Sequence, residues 1–320
     1  MPLTRRSLVA GAIAAPLVAR AQSDWPTRPG RIVVPYPAGG ATDVVGRFAA
    51  EVMGRAFGQR FVVDNKGGAS GGLGSAEVER AEPAGTTFLV ATPATHVTNA
   101  YLRDRLPYDP LRFEPVAMLV RNAMLVVVSP SLPVRSMAEL LDRARREPGK
   151  LNYGSAGVGA TSHLAPELLK AMAKVEITHV PYRGAGPAMN DLLGGQIDLM
   201  IDHTSTSMPQ VTSGRVRAIG VTSLERLPAL PDVPTVAETV PGYEAMSFFA
   251  LMAPKGTPRS IIERVNKAVQ DGLAAPEIKE KLDALSVEPV RGSPEDLAAF
   301  LERERAKWGA LIRERGIKET

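Results

Sequence analysis

The 320-residue chain is 44% hydrophobic and 22% charged, carries a formal net charge of +4 and contains no cysteine. That apolar content excludes a disordered chain, and the length suggests two domains of about 150 residues each. Without cysteine there is no disulfide, no thiolate metal site and no cysteine nucleophile.

Residues 1–21 read as an export signal: a charged start, an apolar stretch from Leu8 to Val18, and the small-x-small site Ala19-Arg20-Ala21. The apolar stretch would span roughly 16 Å as a helix, about half of a bilayer core, so it is too short for an anchor. Thr4-Arg5-Arg6-Ser7-Leu8 matches a twin-arginine signal. Cleavage removes Arg5, Arg6 and Arg20, so 38 basic residues become 35 against 34 acidic, a net charge of +1. Nucleic-acid binding through a basic field then loses its support.

The mature chain alternates β-rich runs with helical periods. Arg31 to Tyr36 reads as a strand, Pro37 to Asp43 as a loop, and Val44 to Met53 as a helix ended by Gly58. Phe61-Val62-Val63 and Thr87 to Ala91 are further strands, each followed by a loop and a helix, the second helix near Thr95 to Leu102. A second set begins at Met124 to Val128, and Ser136 with Glu139 forms a capping box for the next helix. Leu151 to Gly154, Ile177 to Val180, Leu199 to Ile201 and Ala218 to Val221 are its other strands. Phe248 to Met252 gives one more strand, and Thr257-Pro258 supplies an N-cap and a first helical residue. The tail is helical, with Ser293-Pro294 opening a long helix that Gly316 ends. Strand–loop–helix repeats without a linker suit two α/β lobes joined by close crossings, with a cleft between them.

Four glycine-rich loops follow strand ends: Pro37 to Asp43, Gly67 to Gly72, Gly154 to Ser162 and Tyr182 to Pro187. Such a loop at a helix start presents free backbone N–H groups and a favourable dipole, which suits a carboxylate or phosphate. Gly39 and Gly40 allow close approach of the ligand, and Asp43 stands where an N-cap belongs. Each loop taken alone is equally an ordinary turn. No P-loop or dinucleotide fingerprint is present, because the glycine spacings do not match. Ser155 lacks the first glycine of a Gly-x-Ser-x-Gly elbow. The four histidines have no helical metal-pair spacing. His163 suits a structural or ligand hydrogen bond better than a general base, and His179 reads as a core histidine. Asp202 and His203 end a strand and can face the cleft, though Asp202 equally suits a helix cap.

Taken in order, the motifs resemble the tripartite tricarboxylate transporter receptors, the TctC or Bug family. The matching pieces are Val34-Pro35-Tyr36-Pro37-Ala38-Gly39-Gly40 with Asp43 and Arg47, then Leu106 to Pro110, Asn152 to Ser155, and Thr161 to Ala165. His179 to Gly184, Gly194 to Asp198, Leu230 to Thr235 and Ala253 to Pro258 complete the set. Asn65-Lys66-Gly67, Pro83-Ala84-Gly85 and Ser247-Phe248-Phe249 depart from the family's usual runs. The resemblance implies a two-lobed α/β periplasmic binding protein, type II-like, each lobe a mixed, mostly parallel sheet flanked by helices. Lobe 1 would comprise residues 22–122 and 245–320, and lobe 2 residues 123–244. It also implies a monomeric receptor that hands a small organic carboxylate to a membrane permease, with no catalysis, cofactor or metal. The implied ligand site comprises Pro37, Ala38, Gly39, Gly40, Asp43, Ser70, Gly71 and Thr92 from one lobe. Ser155, Gly159, Thr161, His163, Arg183 and Asp202 come from the other. A ligand sensor for a membrane kinase would share this pocket, and a hydrolase or lyase would need a nucleophile–base pair.

Overall fold

A computed structural model describes residues 25–38, 41–284 and 287–318, so residues 1–21, read from the sequence as an export signal, and Gly39-Gly40 lie outside the described residues. Strand β1 (Gly30–Val34) stops before Pro35, which has no N–H to give the ladder. Helix α1 (Ala41–Phe57) turns Val45, Ala49, Val52 and Met53 inward and ends at Gly58. Strand β2 (Phe61–Asn65), helix α2 (Gly72–Glu79) and the fully buried strand β3 (Thr87–Ala91) follow. A π-helical turn, Ala94–Thr98, runs into the short helix α3 (Asn99–Leu102).

Strand β4 (Phe113–Asn122) is long and was not expected, because Glu114, Pro115 and Arg121 break its apolar pattern. Then come β5 (Met124–Val128), α4 (Met137–Arg146), β6 (Asn152–Ser155), α5 (Thr161–Ala173) and β7 (Thr178–Pro181). Helix α6 (Ala185–Leu193), β8 (Leu199–His203), α7 (Thr204–Thr212) and β9 (Arg217–Val221) complete the second set. The chain closes with β10 (Ser247–Pro254), α8 (Arg259–Leu273), α9 (Pro276–Ala284), β11 (Glu288–Pro289) and α10 (Pro294–Glu314).

The strands form two sheets, in the orders β11-β4-β10-β3-β1-β2 and β7-β6-β8-β5-β9. Both are mixed. The parallel pairs are β1 with β2 and β3, and β6 with β7 and β8. The antiparallel pairs involve β10 and β11 in one sheet and β5 in the other, a larger share than a mostly parallel sheet would hold. The reason is the crossings: β10 re-enters the first sheet from the second, and β5 starts directly where β4 leaves off.

Only Ala123 separates β4 from β5, and the return crossing is bonded to it. The Met124 amide donates to Thr222 Oγ1 at 2.8 Å, and the Ala245 amide donates to the Thr222 carbonyl at 3.1 Å. Thr204 Oγ1 donates to Asn122 Oδ1 at 2.9 Å, and Arg121 pairs with Glu244 at 2.7 Å. One apolar cluster runs through this junction, from Leu89 and Phe248 to Val126 and Ile201, with Leu301 and Trp308 of α10 packed on it. Separate clusters cover the far face of each sheet.

Three capping expectations differ in detail. The Ser136 hydroxyl accepts from the Glu139 amide, but Glu139 reaches back to the Arg135 amide at 2.7 Å, so the box is displaced by one residue. Thr257 donates to the Pro254 carbonyl at 2.8 Å, and α8 begins at Arg259 after an uncapped Pro258. Asp43 is the third residue of α1, inside its first turn, so it is not an N-cap. Ser293 and Asp296 form a reciprocal capping box with Pro294 at the first turn of α10.

Candidate functional site

A cavity of about 610 Å³ opens between the two sheets. Tyr36, Ser70, Ala94, Asn99 and Leu102 line it from the first sheet, and Ala156 to Ala160 with Pro181, Tyr182 and Arg183 line it from the second. Most lining residues lie in loops after strand ends or in the turns that open the next helix, which is where open α/β sheets bind ligands.

On the first side the wall is held in an uncommon backbone conformation. Ala69 and Ser70 have φ values of 51° and 52°, in the left-handed region that costs a non-glycine residue about 1–2 kcal/mol. Neighbouring groups hold them there. The Asn99 side-chain amide donates to the Ser70 carbonyl at 3.1 Å, and Arg103 donates to Ser70 Oγ at 3.0 Å. Asn99 also meets the Tyr108 hydroxyl at 3.3 Å, which in turn donates to the Thr95 carbonyl at 2.6 Å. Gly71 (φ 85°) packs so closely that an added Cβ would stand 2.5 Å from Thr95 Cγ2. Tyr36 presents its hydroxyl 3.2 Å from Thr92 Oγ1, and burial raises its pKa while that hydrogen bond lowers it. The Asn65 amide donates to both the Tyr36 carbonyl and Asp43 Oδ1 at 3.1 Å, and Asp43 Oδ2 accepts from Arg47 at 3.0 Å. Asp43 thus ties the first loop to Asn65.

On the second side the loop Ala156 to Ala160 spends its amides on itself. The Ala156 amide donates to Ser162 Oγ at 3.0 Å, and the Gly157 amide to Ser155 Oγ at 3.2 Å. The Gly159 amide donates to His163 Nδ1 at 3.0 Å, and the Ala160 amide to the Gly157 carbonyl at 3.2 Å. The same holds across the cleft, where the amides of Gly71 and Leu73 donate to the Gly68 carbonyl and that of Gly72 to Ala69. The amides of Ala156, Gly157, Gly159 and Ala160, and those of Gly71 and Gly72, therefore build turns.

The expected site residues divide accordingly. Ser70, Gly159 and Arg183 stand on the cavity wall. Pro37 and Ala38 are exposed beside Tyr36, Thr161 is half-buried at the first residue of α5, and Gly39 and Gly40 lie outside the described residues. Asp43, Gly71, Thr92, Ser155, His163 and Asp202 are buried behind the wall. His163 accepts from Gly159 and stacks on His179 with ring centroids 3.9 Å apart, while His179 stacks on Tyr153 at 4.9 Å. Burial, with the nearby His179, pushes the His163 pKa down to about 4, which keeps it neutral and able to accept. Asp202 is fully buried in β8, just before the start of α7. Burial raises its pKa, against a lowering influence of His203.

Sequence reasoning missed Asn99, Leu102, Arg103, Val158 and Tyr182 as site residues. The π-helical turn before Asn99 marks the place, since such turns concentrate at functional sites, but it is a structural signal. Ser155 Oγ does lie 2.7 Å from His179 Nε2. It is nevertheless fully buried and bonded within its own loop, and no carboxylate hydrogen-bonds His179 among the described residues. Nucleophilic catalysis needs an accessible hydroxyl and an oriented base, and this pair has neither. Among the described residues no group of acidic and histidine side chains is arranged to hold a metal ion.

Residues 45–317 match the family model described as the tripartite tricarboxylate transporter family receptor. The chain belongs to that family. Its members are substrate-binding receptors, so the chain is a solute-binding receptor rather than an enzyme. It is 42% identical over 291 residues to a Pseudomonas protein encoded in the tcbD-tcbE intergenic region, covering 90% of this chain and 86% of that one. Among solved structures it is similar to Rpa4515 of R. palustris with adipate, at 40% identity and a TM-score of 0.82, covering 92% of this chain and 99% of that one. It is also similar to MatC of Rhodopseudomonas palustris with bound malate, at 33% identity and a TM-score of 0.76, covering 90% and 100%.

Proposed function

We propose that this receptor is exported to the periplasm, closes its two lobes around a small organic carboxylate, and delivers it as a monomer to a tripartite permease. The lobes are residues 22–122 with 245–320, and residues 123–244. The observation that carries this reading is the cavity between the two sheets, walled by strand-end loops on both sides. Adipate and malate, bound by two relatives, support a carboxylate as its occupant. Tyr36, Ser70 and Asn99 form the polar end on lobe 1, and backbone amides of the first loop around Ala38 to Asp43 add to them.

Magnitudes require the site to be held before the ligand arrives. A charge-assisted hydrogen bond contributes roughly 1.5–3 kcal/mol, whereas association costs about 4–15 kcal/mol. A few such bonds on loose loops would leave almost no affinity. The bonds from Asn99 and Arg103 to Ser70, and from Asn65 to Tyr36, supply that prior order. Native mass spectrometry of the receptor purified from the periplasm tests the reading. The expected result is a retained small acid that dissociates on activation. A receptor that retains none, and binds none of a carboxylate panel in calorimetry, rejects it.

A further inference from the structure

A second gap, of about 350 Å³, lies between parts of the chain that belong to different sheets. Leu227, Pro228 and Ala229, which follow β9, form one wall. Lys279 and Asp283 of α9, with Val287 just before β11, form the other. Its place relative to the cavity follows from the strand orders. In the order β11-β4-β10-β3-β1-β2, the crossing strands β4 and β10 stand between β11 and the strands whose ends carry the cavity. In the order β7-β6-β8-β5-β9, the crossing strand β5 stands between β9 and the cavity strands β6 and β7. The cavity and the gap therefore flank the crossings on opposite sides, like the two arms of a lever.

Both walls of the gap are stiff. Leu227 is buried in the apolar cluster on the second sheet and Val287 in the one on the first, so each wall moves with its own sheet. The Leu230 amide donates to the Leu227 carbonyl at 2.9 Å, and Arg226 donates to the Pro231 carbonyl at 3.1 Å and pairs with Glu238 at 2.7 Å. On the other side Arg55 of α1 pairs with Glu277 of α9 at 2.8 Å. Across the cavity, meanwhile, the two walls touch: a Cβ added to Gly159 would stand 2.2 Å from Leu102 Cδ1. The gap thus exists in the form whose cavity walls meet.

We infer that this gap is the counter-interface of lobe closure, and that the wall from Leu227 to Ala229 sets how much of the ligand-free receptor stands open. The inference rests on the reading of the molecule as two lobes that close on a ligand. A rotation about the crossings that parts Gly159 from Leu102 carries Pro228 and Ala229 toward α9. Both residues are exposed on the gap, so opening removes their apolar surface from water. That contact stabilises the open form and competes with ligand, which favours the closed one. A larger side chain at position 229 has room in the gap of the closed form and collides with α9 in the open one, because packed walls do not yield. It therefore shifts the receptor toward closure without touching the ligand.

The graded series Ala229→Ser, Ala229→Leu and Ala229→Trp tests this. Ala229 is exposed, so all three variants are expected to melt as wild type does. Small-angle scattering of the ligand-free proteins should give Ala229→Ser the wild-type radius of gyration, a smaller one to Ala229→Leu and the smallest to Ala229→Trp. Calorimetry with adipate and with malate should show Ala229→Trp binding about fivefold or more tightly than wild type, since apparent affinity scales with the fraction of receptor already closed. The factor should be the same for both acids, because the gap lies away from the cavity. Wild-type radius and affinity in both Ala229→Leu and Ala229→Trp overturn the inference, as does weaker binding or a gain confined to one acid. If neither acid binds wild type, the scattering series alone decides the inference: a radius that does not fall rejects it. The carboxylate reading is then judged separately, by the acid that native mass spectrometry finds retained.

Discussion

Gly71 and Gly159 stand on opposite sides of the cleft with the same backbone requirement and different neighbours. Both have positive φ, 85° and 77°, so alanine at either costs about 1–2 kcal/mol in backbone strain. At Gly71 the new Cβ would meet Thr95 Cγ2 at 2.5 Å, a short, buried side chain that has no room to move. At Gly159 it would meet Leu102 Cδ1 at 2.2 Å, the free end of a longer side chain on the opposite wall of the cavity. Gly71→Ala is therefore expected to lose about 2–4 kcal/mol of stability once overpacking is included. Gly159→Ala should lose only the backbone term but bind ligand at least tenfold more weakly, because the collision lies across the closing cleft. Urea midpoints and calorimetry on both variants check this, and a larger stability loss at Gly159 contradicts it. Asp43→Ala removes the acceptor of Asn65 and Arg47 and should cost about 1–3 kcal/mol, with weakened binding through a loosened Tyr36. Unchanged affinity in a folded variant would remove Asp43 from the support of the site. These residues also mark the reach of sequence reading. Glycine spacing located the loops after strand ends, since composition alone reports where a chain must turn. It did not report that the loop Ala156 to Ala160 would consume most of its own amides. That depends on which hydroxyl or imidazole, such as Ser162 or His163, folds back onto the turn.

Helix α5 joins the site to the rest of the molecule. Its first turn places His163 under the cavity loop, and one turn later Glu167 meets three groups. The Tyr153 hydroxyl donates to it at 2.7 Å, Lys170 at 2.6 Å and Arg315 at 2.9 Å. Burial alone would raise the Glu167 pKa, but the hydrogen bonds from Lys170 and Tyr153 outweigh it and hold the carboxylate ionised. Arg315 follows α10, which packs on the first sheet through Leu301 and Trp308, so this ion cluster ties α10 to the second lobe. Glu167 and Lys170 side chains are only 6% and 7% exposed, so removing one leaves a buried charge without its partner. Glu167→Ala should lose about 3–5 kcal/mol. The double variant Glu167→Leu with Lys170→Met should recover more than half of that, because the charge goes with its partner. Chemical denaturation of the single and double variants decides the matter, and a double variant as unstable as the single one refutes it. At this scale the helices and central strands were legible, since Val45, Ala49, Val52 and Met53 repeat at helical spacing and Met124 to Val128 is wholly apolar. Strand β4 was not, because the Arg121 within it is paired through the fold with Glu244, 123 positions along the chain.

Across the whole molecule all four histidines are held neutral by burial. The His96 pKa is lowered to about 3 and that of His163 to about 4, with burial the first cause in both. His179 and His203 are lowered as well, again first by burial. In the unfolded chain a histidine takes up a proton near pH 6.5. Below that value the unfolded state gains protons that the folded state refuses, so stability present above pH 6.5 declines as the pH falls toward 4. The size is about 3 kcal/mol each for His96 and His163 by pH 4, from 1.36 kcal/mol per pKa unit. Glu167, held low by its partners, adds to the same acid loss at lower pH, whereas Asp202, whose pKa burial raises, opposes it. The histidines are the larger group, so the urea midpoint should be flat from pH 8 to 7 and fall steadily from pH 6.5 to 4. Ligand affinity should fall over the lower part of that range, near pH 4, where His163 takes up a proton and Nδ1 stops accepting from the Gly159 amide. His163→Gln should retain an acceptor for that amide and flatten the lower part of the affinity curve. An affinity profile of His163→Gln that still falls as steeply as wild type between pH 5 and 4 would assign the acid sensitivity to another group.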